Sequence, residues 1–159
     1  MLSRISLVAA ACLIAGCGFH LQNELQVPDA MERTYLDVVE RDTQFHRELR
    51  RQLRAAGVNI VESPGEATAI FTINKDMTGQ RVLSVSARNV PTEYQVFYTV
   101  GYSLVSGEDS LLAPQDVTFT RDYTWDETLV LGKANEEAMM RESIVRDLVR
   151  TVLKQLSTI

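Results

Sequence analysis

The segment of residues 93–106 constrains the fold of this chain more than any other, because its apolar side chains recur at every second position. In an extended strand, alternate side chains lie on the same face of the sheet. Six such residues share one face here: Tyr94, Val96, Tyr98, Val100, Tyr102 and Leu104. The segment therefore predicts a strand of a sheet that is covered by a second layer of structure on one side.

Shorter segments predict the rest of the sheet. Alternation at residues 34–40, 69–77, 81–88 and 117–125 favours strands, and residues 58–61 are typical of extended chain. The turns between neighbouring strands are short, which favours antiparallel pairing. We expect a mixed or antiparallel sheet of roughly four strands.

Two segments have helical rather than strand periodicity. In the first, apolar residues recur every three or four positions: Phe45, Leu49, Leu53 and Ala56. Asp42 or Thr43 can cap its start, and Gly57 stands where a helix C-terminus favours glycine. A second helix is predicted at about residues 134–156, with one apolar stripe: Ala138, Val145, Leu148, Val149, Val152 and Leu156. The predicted fold class is α+β, with both α-helices packed on one face of the sheet.

The N-terminus resembles the signal peptide of a bacterial lipoprotein. Arg4 precedes an apolar run at residues 5–14, which is too short to span a bilayer. The run ends in Ile14-Ala15-Gly16-Cys17, an arrangement similar to the lipobox that is cut before an acylated cysteine. We expect residues 1–16 to be the signal peptide and Cys17 to carry lipid, with residues 17–159 forming a single domain. The alternative is a buried cysteine in a secreted protein that is cleaved elsewhere.

Composition and motifs argue against several function classes. The net charge of −5 is unlike that of a general nucleic-acid-binding protein. The two histidines, His20 and His46, lack the spacing of a metal site, and no nucleophile motif is present. We expect no enzyme activity, no metal and no cofactor, and we leave a periplasmic hydrolase as a remote alternative.

Two basic residues are candidates for binding an anionic group. Arg88 precedes the loop Asn89-Val90-Pro91, and Lys133 lies in the predicted link Leu131-Gly132-Lys133 between the last strand and the last helix. Cations at such connections can meet phosphates, although solvated surface charge is the alternative for both. The first helix also has an arginine-rich face, which suits either a partner or solvent: Arg47, Arg50, Arg51 and Arg54.

Several short pieces, in order along the chain, resemble the LptE family of lipopolysaccharide-assembly lipoproteins. They are Cys17-Gly18-Phe19-His20-Leu21, Val27-Pro28 with Met31, Gln52-Leu53-Arg54 before Gly57-Val58, Glu93-Tyr94-Gln95, and Leu131-Gly132-Lys133 before Asn135-Glu136. The resemblance implies a lipid-anchored protein of the cell outer membrane that plugs the lumen of the β-barrel LptD, assists its assembly and binds lipopolysaccharide. It also implies that the family's two lipopolysaccharide-contacting cations fall on Arg88, with a one-residue ambiguity, and on Lys133.

One alternative to this function stays open at the level of sequence. A periplasmic lipoprotein anchored in the outer membrane could carry another lipid or scaffold another envelope complex. Glycine follows Cys17, where aspartate would favour retention in the inner membrane.

Overall fold

The fold is a five-stranded sheet with two helices. The computed structural model describes residues 27–124 and 130–159, and at residues 130–134 it describes the backbone only. The signal peptide, Cys17, His20 and Trp125 lie outside the described residues. The elements are β1 (Arg33–Val38), α1 (Gln44–Ala55), β2 (Asn59–Val61), β3 (Ala69–Val85), β4 (Pro91–Ser106), β5 (Asp109–Thr124) and α2 (Val130–Leu156).

Helix α1 forms where the sequence predicts it. Thr43 rather than Asp42 is its N-cap, and the Thr43 hydroxyl accepts a hydrogen bond from the backbone N–H of His46 at 3.1 Å. After the helix, Gly57 has φ +86°, a left-handed conformation that side-chain-bearing residues rarely adopt. The apolar stripe of α1 is buried at Phe45, Leu49 and Leu53.

The sheet has the order β2-β1-β3-β4-β5. The long strands β3, β4 and β5 pair antiparallel, whereas β1 pairs parallel with both β2 and β3. The prediction of a mixed sheet is confirmed, with five strands instead of about four. Residues 69–77 and 81–88 do not form separate strands, because residues 69–85 make one 17-residue strand paired to β4 along its length.

The core lies between the sheet and the two helices. Five of the six apolar residues that predict β4 are buried, and Tyr94 packs partly buried beside them. The ring of Tyr102 stacks on Phe71 with centroids 5.8 Å apart. Helix α2 contributes a longer buried stripe: Ile144, Val145, Leu148, Val149, Val152, Leu153 and Leu156. Ala138 is exposed, so its predicted place in this stripe is wrong.

Candidate functional site

Arg88 lies in the loop that joins β3 to β4. Strand β3 ends at Val85, so the prediction that a strand continues to Arg88 is wrong. The loop is closed by hydrogen bonds from the backbone N–H of Ser86 to the Val90 carbonyl at 2.8 Å and from the N–H of Asn89 to the Ser86 carbonyl at 2.9 Å. Asn89 supplies the left-handed turn with φ 61°, a conformation that asparagine tolerates better than most residues. The turn leaves Arg88 exposed at the tip of the hairpin.

The guanidinium of Arg88 has no acidic partner within the described part of the chain. The backbone N–H of Arg88 donates a hydrogen bond to the Ser86 hydroxyl at 3.4 Å. By contrast, Arg121 binds Asp147 at 2.6 Å, and Arg141 binds Glu137 at 2.6 Å. Arg88 is therefore available to an external anion.

Lys133 lies in the first turn of α2, which begins at Val130. The prediction of a link at residues 131–133 is thus wrong, because the helix starts four residues before the start predicted at about residue 134. The side chain of Lys133 lies outside the described part. One helical turn later, Glu137 accepts a hydrogen bond from Arg141 Nε at 3.0 Å, and Arg141 also donates to the Thr78 hydroxyl on β3, so this part of α2 lies against the sheet.

Arg88 and the start of α2, which includes Lys133, lie towards the same end of the sheet. Tyr123 is paired with Tyr94, on which its ring stacks at 5.6 Å, and Tyr94 is paired with Val82 on β3. The hairpin tip follows Val82. The contacts of α2 run from Gln155, which accepts from the Tyr102 hydroxyl, to Arg141, which donates to Thr78 nearer the hairpin, so the start of the helix continues in that direction. Two positions separated by 45 residues in the sequence are therefore brought towards one another.

Tyr123 closes the core at this end. Burial is the main cause that raises the pKa of its phenol, and the charge of Glu137 adds to it. The Tyr123 hydroxyl donates a hydrogen bond to Gln80 Oε1 at 3.2 Å. The packing and the hydrogen bond to Gln80 give Tyr123 a structural role.

Apolar side chains at this end of the sheet were missed by the sequence analysis. Val82, Leu83 and Val85 are 47%, 45% and 51% exposed, although strand periodicity would bury one set of alternate residues. A strand with one buried face needs an apolar residue only at every second position. The adjacent pair Val82 and Leu83 is therefore the sequence signal that indicates an exposed apolar side chain here.

The face of the sheet opposite the helices is polar. Lys75 Nζ lies 2.7 Å from Asp116 Oδ2, across the strand between them. Gln95 Nε2 donates to Asp122 Oδ1 at 2.6 Å, and Gln95 Oε1 accepts from Arg81 Nε at 2.9 Å. Such cross-strand pairs give this face a hydrophilic surface.

Three of the four arginines on the arginine-rich face of α1 bind the chain's own acceptors. Arg51 binds Glu48 at 2.6 Å, Arg50 binds Glu62 at 3.0 Å, and Arg47 donates to the carbonyl of Asp42. The bond with Arg51 is the main cause that lowers the pKa of Glu48. This surface has fewer free donors than its sequence indicates.

His46 is buried, and its ring Nδ1–H donates to the Arg41 carbonyl at 2.6 Å. Across the residues that the structure describes, no three histidine, cysteine or acidic residues lie together as metal ligands would. Neither described helix combines the length and apolarity needed to cross a bilayer.

Comparisons with known proteins agree with one another. Residues 23–156 match the family model LptE, described as lipopolysaccharide-assembly. The LPS-assembly lipoprotein LptE of Pectobacterium atrosepticum is 30% identical over 160 residues, covering 94% of this chain and 82% of that protein. The protein of the same name from Yersinia enterocolitica is 29% identical, covering 91% and 72%.

Solved structures of lipoproteins have the same fold as this chain. Lipoprotein B of Nitrosomonas europaea, solved by NMR, superposes with a TM-score of 0.73 at 25% identity and covers 88% of this chain and 90% of that one. The rare lipoprotein B of Shewanella oneidensis has a TM-score of 0.68 at 19% identity, covering 79% and 94%, and supports the fold alone.

Proposed function

The chain belongs to the LptE family of lipopolysaccharide-assembly lipoproteins, and from this premise we propose that it binds lipopolysaccharide at the hairpin end of its sheet while it plugs the barrel LptD. The family places the protein in lipopolysaccharide assembly in the cell envelope. The proposal adds the ligand site, the barrel partner and the outer membrane.

The convergence of Arg88 and the start of α2 carries the proposal for the ligand. Arg88 is an exposed cation without an acidic partner in the described part, and Lys133 begins the helix at the same end. Lipopolysaccharide carries phosphates on its lipid A sugars, and arginine and lysine are the residues that bind phosphate best. Binding is therefore electrostatic in part and should weaken with salt.

The polar face of the sheet supports the proposal for the barrel. The lumen of a large outer-membrane barrel is polar, so a protein inside it needs a hydrophilic exterior over its own core. The pairs Lys75–Asp116 and Gln95–Asp122 supply such an exterior opposite the helices. The role is binding and assembly, without catalysis or cofactor.

The anchor is the third part of the proposal. A lipid-modified Cys17 holds the protein on the periplasmic side of the outer membrane once residues 1–16 are removed. Several acyl chains on one residue give firm attachment, whereas a single chain does not. Mass spectrometry of the purified N-terminus tests this directly, and an unmodified Cys17 would contradict it.

Charge reversal tests the ligand site. The double variant Arg88→Glu with Lys133→Glu should weaken binding to purified lipopolysaccharide by about tenfold at low salt, since an exposed ion pair contributes at most about 1 kcal/mol and reversal adds repulsion. The matched control is Arg54→Glu with Lys154→Glu, which changes the net charge equally in the last turns of α1 and α2. Equal binding by the two double variants would refute the assignment.

Detergent extraction tests the partner. An affinity-tagged chain should co-purify with a large β-barrel protein from membranes. Extraction without any barrel, from membranes in which the protein is acylated, would favour the alternative of an anchored lipoprotein that serves another envelope complex.

A further inference from the structure

We propose that Val82, Leu83 and Val85, here named the hairpin apolar patch, receive acyl chains of the same glycolipid whose phosphates Arg88 binds. This inference rests on the proposed function and extends it, because it assigns a second part of the ligand to a second set of side chains.

The patch is exposed to an unusual degree for its composition. Three large aliphatic side chains within four residues each leave 45% to 51% of their surface in solvent. Single exposed apolar residues are ordinary on protein surfaces, whereas contiguous ones mark a place where something apolar binds.

Two irregularities in the pairing of β3 with β4 fall within the patch. Val82 is paired with Tyr94 and Ser84 with the next residue, Glu93, so Leu83 is an extra residue on β3. Ser84 then donates a hydrogen bond to Glu93 Oε2 at 2.7 Å. A second shift follows between Ser84 and Val85. A regular strand would turn Leu83 and Val85 to the face opposite Val82, and the two shifts interrupt this alternation.

The patch lies beyond the described hydrogen bonds of β3 with β1, α1 and α2. Strand β1 pairs with β3 only as far as Ile73. Helix α1 reaches β3 at Asp76, through Thr43, and α2 reaches it at Thr78, through Arg141. Beyond Ile73 the outer edge of β3 is not paired with a described strand, and the three side chains of the patch keep about half of their surface exposed.

The neighbouring charge favours an amphiphilic lipid as the occupant. Val85 and Arg88 are three residues apart, hence at most about 11 Å along the chain. A phosphorylated glycolipid carries phosphates and acyl chains on the same sugars, so a protein that binds both needs a cation and apolar side chains at short range. The hairpin combines an exposed Arg88 with the patch in this way.

The test separates acyl chains from phosphates. A triple variant, Val82→Thr with Leu83→Asn and Val85→Thr, removes apolar surface while keeping two β-branched side chains in the strand. We expect it to bind intact lipopolysaccharide about tenfold or more weakly than the parent, since half of each side chain would otherwise be buried. Its affinity for chemically deacylated lipopolysaccharide should equal that of the parent, because deacylation leaves the phosphates in place. Arg88→Glu should weaken the binding of both probes.

Val39→Thr is the matched control. Val39 is 86% exposed. It follows Val38, which is paired with Ile73 on β3, and Ile73 lies about 40 Å along that strand from Val85. This variant should bind both probes like the parent, and circular dichroism should confirm that all variants are folded.

Three results would overturn the inference. The triple variant could bind intact lipopolysaccharide as tightly as the parent, or it could lose both probes equally, which would mean that the loop has moved. Self-association that the triple variant abolishes without changing lipopolysaccharide binding would identify a second copy of the chain as the occupant. If the parent itself binds neither probe, the proposed function fails together with the inference.

Discussion

The capping residue Thr43 links helix α1 to the sheet, and its loss should destabilise the protein more than the loss of an ordinary cap. Its hydroxyl accepts from the N–H of His46 at 3.1 Å and also donates to Asp76 Oδ2 on β3. The other oxygen of Asp76 accepts from the Tyr98 hydroxyl on β4 at 2.7 Å. One threonine thus connects a helix terminus to two strands.

The expected cost of Thr43→Ala follows from these contacts. Removing an N-cap hydroxyl costs about 1 kcal/mol. A hydrogen bond to a charged group contributes about 1.5 kcal/mol or more, and this one is partly buried. We therefore expect the free energy of unfolding to fall by about 2 to 3 kcal/mol.

Urea unfolding of the purified protein in mild detergent, followed by circular dichroism, measures this loss. With a slope of about 2 kcal/mol per molar urea, the midpoint should fall by about 1 M. The conservative variant Thr43→Ser keeps both hydrogen bonds and should stay within about 0.5 kcal/mol of the parent.

A double-mutant cycle separates the bridge from the cap. Asp76→Asn removes the charge and leaves the cap, so Thr43→Ala should cost about 1 kcal/mol less in that background. A loss of unfolding free energy in Thr43→Ala no larger than that in Thr43→Ser would refute the predicted bridge. Additive effects of Thr43→Ala and Asp76→Asn would refute it as well.

Three further predictions concern single sites. Gly101→Ala should lower the free energy of unfolding by about 1 to 3 kcal/mol in the same urea assay, because its Cβ would lie 2.3 Å from Asn74 Oδ1 and 2.5 Å from Asp116 Oδ1; an unchanged midpoint would contradict this. Burial, and then the bond to Asp76, raises the pKa of Tyr98 above its ordinary value of 10.0, so the stability that the protonated phenol contributes should be lost as pH rises above about 10. Tyr98→Phe should flatten this decline between pH 9 and 11, and an equally steep decline would count against it. Asn89→Gly should leave stability nearly unchanged while Asn89→Ala costs about 1 kcal/mol, because φ is 61° there; equal costs would show that the turn relaxes.

Local signals in the sequence predict the elements that are built from short-range interactions. Helix α1 is predicted with its cap and its terminal glycine, because a cap hydrogen bond spans three residues and a helical turn spans four. The buried face of β4 follows from alternation alone. The family resemblance, carried by short ordered pieces of sequence, is confirmed over residues 23–156.

Long-range pairing is less accessible to the sequence. The segments at residues 69–77 and 81–88 form one strand because β4 supplies a partner along the whole length, across Gly79, whose missing side chain leaves room for the ring of Phe97. The start of α2 at Val130 is four residues before the start predicted at about residue 134. Lys133 is consequently helical instead of part of a link.

For the candidate site, the sequence by itself determined which residue types are present: a cation before Asn89, a second in the Leu131-Gly132-Lys133 piece, and an alternating strand between them. Only the tertiary structure decided that Arg88 and the start of α2 lie at one end of the sheet and that Val82 and Leu83 are both exposed beside them. The physical reason is that periodicity specifies the face on which a side chain lies, whereas packing between distant segments determines whether another layer covers that face.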